Sequence, residues 1–103
     1  MKSKYLFEVP TPIGISIRTT NNYWKLIQLK HPEIKGHLLS IKELLKMPDL
    51  ITRSKIDNSV LLFYKKLNGY WLCTVTKHLD ISGYLITVYI TDRIKEGIKI
   101  WPN

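Results

Sequence analysis

Between residues 50 and 91 the chain carries four short runs rich in β-branched and aromatic residues, and only Asn68-Gly69 separates the second run from the third. Asn-Gly readily supplies the two left-handed residues of a tight hairpin turn. Segments 60–66 and 70–77 are therefore expected to pair as antiparallel neighbours. Runs at 50–53 and 84–91 extend the pattern on either side, the last entered through a second expected turn at Ser82-Gly83. A meander of this kind needs a layer to cover one of its faces.

The preceding residues can supply that layer. Thr19, Thr20 or Asn21 can cap a helix whose apolar positions Tyr23, Trp24, Ile27 and Ile34 follow helical spacing, and Pro32 should end it near His31. Ser40-x-x-Glu43 is a capping-box pattern before a short amphipathic helix over 41–47, stopped by Pro48-Asp49. Segments 5–9 and 14–18 read as an N-terminal hairpin interrupted by Pro10-Thr11-Pro12. Residues 92–96 are expected as a last helical turn stopped by Gly97, with 98–101 returning as an edge strand. The expected fold is one α+β domain over residues 1–103, with N-terminal helices packed on an antiparallel sheet of four to five strands.

Alternation suggests what each face does. In 70–77 the odd positions Trp71, Cys73 and Val75 are apolar up to Lys77, whereas the even ones include Thr74 and Thr76. In 84–91 one set holds Leu85, Thr87, Tyr89 and Thr91. A hydroxyl-bearing aromatic face flanked by Lys77, Lys65 or Lys66 is then the candidate for an exposed binding surface. Cys73, the single cysteine, is most simply a core residue.

Charge narrows the partner. Sixteen Lys and Arg against eight Asp and Glu leave +8, an excess that favours a polyanion. Residues 18–77 hold eleven basic and four acidic side chains, net +7, whereas 78–103 are balanced. RNA or DNA leads. No apolar run approaches the roughly 20 residues of a membrane-spanning helix, and helix 41–47 is too short for an interfacial anchor. MKSKYLFEVP lacks the apolar stretch of a signal peptide. The cytoplasm is the expected compartment, with no membrane partner.

Cofactor chemistry has little to build on. Three histidines and one cysteine form neither the paired cysteines nor the HExxH helix of zinc sites. The only acidic-x-Lys triplet, Glu33-Ile34-Lys35, precedes Pro48-Asp49, the reverse of the order a Mg²⁺ nuclease needs. No metal or other cofactor is expected. Metal-free RNA cleavage asks less: a base for the 2′-hydroxyl, an acid for the leaving oxygen, and donors for the phosphorane. His31 is the favoured proton carrier, because Pro32 fixes its backbone and Glu33 can orient its ring. Its bland alternative is a helix C-cap. Lys77 at a strand end, and Arg53-Ser54, are candidate phosphate contacts, each with a solvated surface residue as the plain alternative.

The motifs HPEIKG (31–36), LLKMPDLITRS (44–54), LLFYKK (61–66), WLCTVTK (71–77) and GYLITVYITDRIKEG (83–97) occur in an order that resembles a known superfamily. It is that of the barnase, EndoU, colicin and RelE-like (BECR) ribonucleases, in their small phage- and toxin-associated domains. The resemblance covers residues 20–101. It implies the BECR fold, helices followed by an antiparallel sheet, and metal-independent RNA endonuclease activity in toxins of bacterial or phage systems. Carried over position by position, it marks His31, Glu33, Ser54, Tyr64, Lys77, Thr87 and Tyr89. Val88 and Phe63 depart from the pattern without removing a proton carrier.

Together these readings make His31, Lys77, Thr87 and Tyr89 the candidate catalytic residues. Arg53, Ser54, Tyr64 and Glu33 are the candidate substrate-binding residues. RNA is the expected partner, with an acidic antitoxin or immunity protein as an expected inhibitor of the basic face. The alternative from another class is a non-catalytic nucleic-acid- or protein-binding module.

Overall fold

Asn68 and Gly69 both have positive φ, 49° and 85°, the pair of left-handed residues a type I′ turn requires. The computed structural model, which describes residues 4–103, accordingly folds β4 (Val60–Leu67) straight back as β5 (Tyr70–Leu79). Leu67 lies opposite Tyr70 and Val60 opposite Lys77. Strand β6 (Ser82–Thr91) pairs antiparallel with β5, and β3 (Leu50–Arg53) with β4.

Outside this meander the sheet grows at both edges. β1 (Phe7–Pro10) and β2 (Ser16–Thr19) form the expected hairpin, and β2 then lies parallel to β6 over three residue pairs, Ser16–Ser82 to Arg18–Tyr84. β7 (Ile98–Trp101) pairs with the far side of β3. The result is a seven-stranded mixed sheet in the order β1-β2-β6-β5-β4-β3-β7. The α+β class is as expected. The count of four to five antiparallel strands is not, because the hairpin docks on β6 instead of standing apart.

Helix α1 (Asn21–Lys30) is capped by Thr20, whose hydroxyl oxygen accepts the Tyr23 N–H at 3.2 Å. It buries Trp24 and Ile27, and a 3₁₀ turn at Pro32–Ile34 follows, with Ile34 fully buried. Helix α2 (Leu38–Lys46) starts earlier than its capping box suggests. His37 occupies the N-cap without a side-chain bond, and Ser40 and Glu43 lie inside the helix. The earlier start completes the amphipathic stripe that buries Ile41, Leu44 and Leu45 against the sheet. Among the described residues no helix is long and apolar enough to cross a membrane.

Two turn assignments are corrected. The β5–β6 turn is formed by Asp80, φ 57°, and Ile81, so that Leu79 faces Ser82 and both Ser82 and Gly83 lie within β6. Gly83 has a different task. A Cβ there would stand 2.9 Å from the Lys77 carbonyl and 2.9 Å from Ile17 Cδ1, so its missing side chain permits close packing of β2, β5 and β6.

Residues 92–97 form no helical turn, and the topology explains why. β6 and β7 are four inter-strand spacings apart, at least about 19 Å. The six connecting residues reach about 20 Å when extended but only about 9 Å as a helix. They cross the sheet as an irregular strap, bent at Asp92, Arg93 and Glu96.

The sheet faces are the other correction. The helices cover Leu61, Phe63, Leu72, Leu85 and Val88, and Thr74 and Thr76 are fully buried on that same side. Trp71, Cys73, Val75 and Lys77 therefore belong to the opposite face. There Leu62, Tyr64 and Cys73 form a second buried cluster edged by Val60, Trp71, Val75 and Tyr89. A β-bulge in the β5–β6 pairing matches Val75 to Thr87 but Thr76 to Leu85 and skips Ile86. Leu85 and Val88 thereby both reach the core, and Tyr84, Thr87 and Tyr89 share the open face.

His78, near the end of β5, is held beside Gly83. Its Nε2 lies 2.9 Å from the Thr76 hydroxyl, its Nδ1 is buried without a partner, and burial lowers its pKa. A proton on Nδ1 would have no acceptor there. Because the folded value lies below the unfolded one, roughly 6.5, the unfolded chain binds more protons as pH falls through this range. Stability is expected to be complete above about pH 6.5 and to decline below it. Melting curves from pH 5 to 8 should show this slope in the native protein and a flatter one in His78→Gln.

Candidate active site

The site begins with an interrupted strand edge. β2 covers β6 only as far as Tyr84, so from Leu85 onward, among the described residues, the outer edge of β6 has no strand beside it. Helix α1 takes over. The Tyr23 phenol donates to the Ile86 carbonyl at 2.8 Å, satisfying a backbone acceptor at the bulge. This anchors the helix alongside β6 and carries its C-cap residue to the open face.

That residue is His31. Its N–H closes the helix on the Ile27 carbonyl at 2.8 Å, and Pro32 then turns the chain into the 3₁₀ segment. The imidazole sits 6.0 Å from the Tyr89 ring, centroid to centroid, tilted by 38°. Its Nδ1 faces Glu33 Oε2 at 3.4 Å. A carboxylate at Nδ1 favours the tautomer with the proton there, leaving the Nε2 lone pair free to accept. His31 is thus a helix C-cap and also an oriented base.

Two cavities adjoin one another here, sharing Thr87. One, about 570 Å³, is lined by Tyr23, Leu26, Lys30, His31 and Thr87 among others. The second, about 530 Å³, runs over the open face between the 54–59 loop and the strap, with Leu62, Val75, Thr87, Tyr89 and Lys95 in its lining. Thr87 belongs to both. Of the sequence-derived candidates, His31, Thr87 and Tyr89 are therefore brought together, and Glu33 joins them through His31.

Tyr64, Cys73 and Tyr89 occupy one row across β4, β5 and β6. Burial pushes the Tyr64 phenol to about 12 and the Cys73 thiol to about 11, and it raises Tyr89 well above an ordinary phenol. The thiol hydrogen-bonds both phenols. All three stay protonated at neutral pH, so Tyr89 can donate a hydrogen bond but does not serve as a base. Tyr64 is fully buried, stacks edge-on against Trp71, and accepts the Lys95 N–H at 3.1 Å. It holds the strap down and supports the floor of the cavity from below.

The remaining candidates are placed differently. Lys77 shares the open face two residues beyond Val75, and its ammonium meets Asp57 Oδ2 at 3.3 Å. Asp57 is held near 2 first by the Ser59 hydroxyl and N–H and then by Lys77. Lys77 is thus engaged on the open face and lines neither cavity. Ser54 lines the second cavity, but its hydroxyl oxygen accepts the N–H groups of Ile56 and Asp57, at 3.1 and 3.3 Å. Arg53 alternates to the helix-covered side with Ile51 and Leu61, and its Nε is buried without a partner. It does not line either cavity.

Several groups at the site carry no short-range signal. Lys95 reaches it only through the strap, and Tyr23 only because α1 replaces a strand. Lys55 Nζ and Glu96 Oε1 meet at 2.8 Å across the mouth of the second cavity, an exposed pair that water screens. No family model, curated protein or solved structure matches the chain.

Proposed function

We propose that the protein is a metal-independent RNA endonuclease of the BECR kind, acting in the cytoplasm as the toxin of a bacterial or phage toxin–antitoxin system. The observation that carries this reading is the closeness of His31, Thr87 and Tyr89 at two adjoining cavities on a chain of net charge +8. His31 Nε2 takes the 2′-hydroxyl proton while the 2′-oxygen attacks the adjacent phosphorus. Tyr89, kept protonated by burial, donates toward the 5′-oxygen as its bond to phosphorus breaks. The Thr87 hydroxyl and the Lys95 ammonium stabilise the charge that accumulates on the phosphorane. Lys77 adds positive charge on the open face. The products are a 2′,3′-cyclic phosphate and a 5′-hydroxyl. An acidic antitoxin or immunity protein suits the same basic face.

Incubation of the purified protein with end-labelled RNA in EDTA tests this. Cleavage leaving cyclic-phosphate ends is expected, with 2′-O-methyl RNA and DNA left intact. RNA surviving stoichiometric protein would overturn the nuclease reading. Binding without cleavage would favour a non-catalytic RNA-binding module. The engagement of Lys77 by Asp57 and the burial of Tyr64 give that second reading its specific support.

A further inference from the structure

A third cavity, about 270 Å³, lies at the other end of α1 and is lined by Tyr5, Arg18, Thr20, Tyr23 and Tyr84 among others. Nothing in the chemistry above uses it. Its walls combine aromatic rings with fixed positive charge. The Arg18 guanidinium lies 5.3 Å from the Tyr5 ring centroid and the Lys4 ammonium 5.4 Å. Tyr23 and Tyr84 are each more than a third exposed, although the Tyr23 hydroxyl is tied to the Ile86 carbonyl. Arg18 and Tyr84 are partners in the parallel β2–β6 pair and point to the same side of the sheet.

This cavity and the other two adjoin one another along β6. Tyr23 lines both it and the His31 cavity, and Thr87 lines both the His31 cavity and the one beyond. The three follow β6 from Tyr84 to Tyr89, about 16 Å at strand rise. A groove with His31 midway, tyrosines at one end and Lys55 and Lys95 at the other has the layout of a single-strand track. Flat rings stack unpaired bases, and the cations follow the phosphates. A duplex hides its base faces and could not use the rings.

We infer that the Tyr5–Arg18–Tyr23–Tyr84 cleft is a base-stacking subsite that selects single-stranded RNA and seats it next to His31. The inference rests on the RNA reading above. It concerns binding, however, so it can fail while cleavage stands, or stand where cleavage fails. Glu8, across the β1–β2 pair from Arg18, opposes it electrostatically.

The test is fluorescence anisotropy with a labelled nine-nucleotide single strand, using His31→Ala as the background so that the probe survives. Tyr84→Ala and Arg18→Ala should each weaken binding by about 5-fold or more. Tyr84→Phe should bind as the background does, and Glu8→Gln more tightly. In the cleaving protein, Tyr84→Ala should raise KM for the nine-mer with kcat unchanged, and leave cleavage of a dinucleotide untouched. Unaltered nine-mer affinity in both Tyr84→Ala and Arg18→Ala would overturn the subsite. So would equal affinity of the background protein for a duplex of the same length.

Discussion

His31→Ala is expected to slow RNA cleavage by about 10²- to 10⁴-fold, the usual contribution of a positioned general base. Little else should change, because the side chain is one-third exposed and the helix end it closes is held by its backbone N–H. Single-turnover rates at saturating protein would isolate the chemical step, and thermal melting would verify that the fold is intact. Glu33→Gln keeps the size of the group at Nδ1 but removes its charge, so its effect should have the same sign and be smaller. A variant lacking His31 that cleaves at the native rate would remove the base from the mechanism. Thr87 and Tyr89 would then need another proton acceptor beside them.

The second large effect falls on stability. Tyr64→Ala should cost about 3–5 kcal/mol, as for other large aromatic truncations in a core. That is a large share of the 5–15 kcal/mol typical of a whole domain. Tyr64→Phe keeps the ring against Trp71 but leaves the Lys95 N–H without its acceptor, and should cost about 1–2 kcal/mol. Urea unfolding of both variants would separate the two contributions. Equal stability of Tyr64→Phe and the native protein would show that the phenol oxygen does not hold the strap. The comparison matters because motif resemblance points to Tyr64 as a substrate contact, whereas full burial makes it a support for residues that do meet the cavity.

The elements were more legible in the sequence than their relations. Asn68-Gly69 announced the central hairpin because so few dipeptides tolerate two left-handed residues, and Thr20 announced α1 because its hydroxyl meets a free N–H. The sides of β5 were misread for a physical reason. Trp71, Cys73 and Val75 look like core, and Cys73 is fully buried while Trp71 and Val75 are partly so, but on the face away from the helices, under a strap from distant sequence. Thr74 and Thr76, which look exposed, lie beneath the helices. The skipped Ile86 inverted the reading of β6 halfway along, and no local pattern marks a bulge that only its partner strand defines. His31, Thr87 and Tyr89 could be picked as chemical types at strand and helix ends. That Tyr23 and Lys95 stand with them depends on where β2 stops and where β7 lies, which is information about the whole sheet. Arg53 shows the converse: a suitable side chain in a suitable motif, turned to the other face by strand alternation.

Surface connections in most domains absorb added or missing residues without harm, which is why natural variation in length concentrates there. The segment between β6 and β7 has no such freedom. It is pinned midway by the Lys95 N–H on the Tyr64 phenol and at its far end by the pairing of β7 with β3, so losing or gaining a residue would pull one of these contacts out of place and shift one wall of the groove. The 54–59 loop on the opposite wall closes on itself through Ser54 and Asp57 and carries no such constraint. Among sequences that share this architecture, the two walls should therefore vary unequally in length, with diversification of the target confined to one of them.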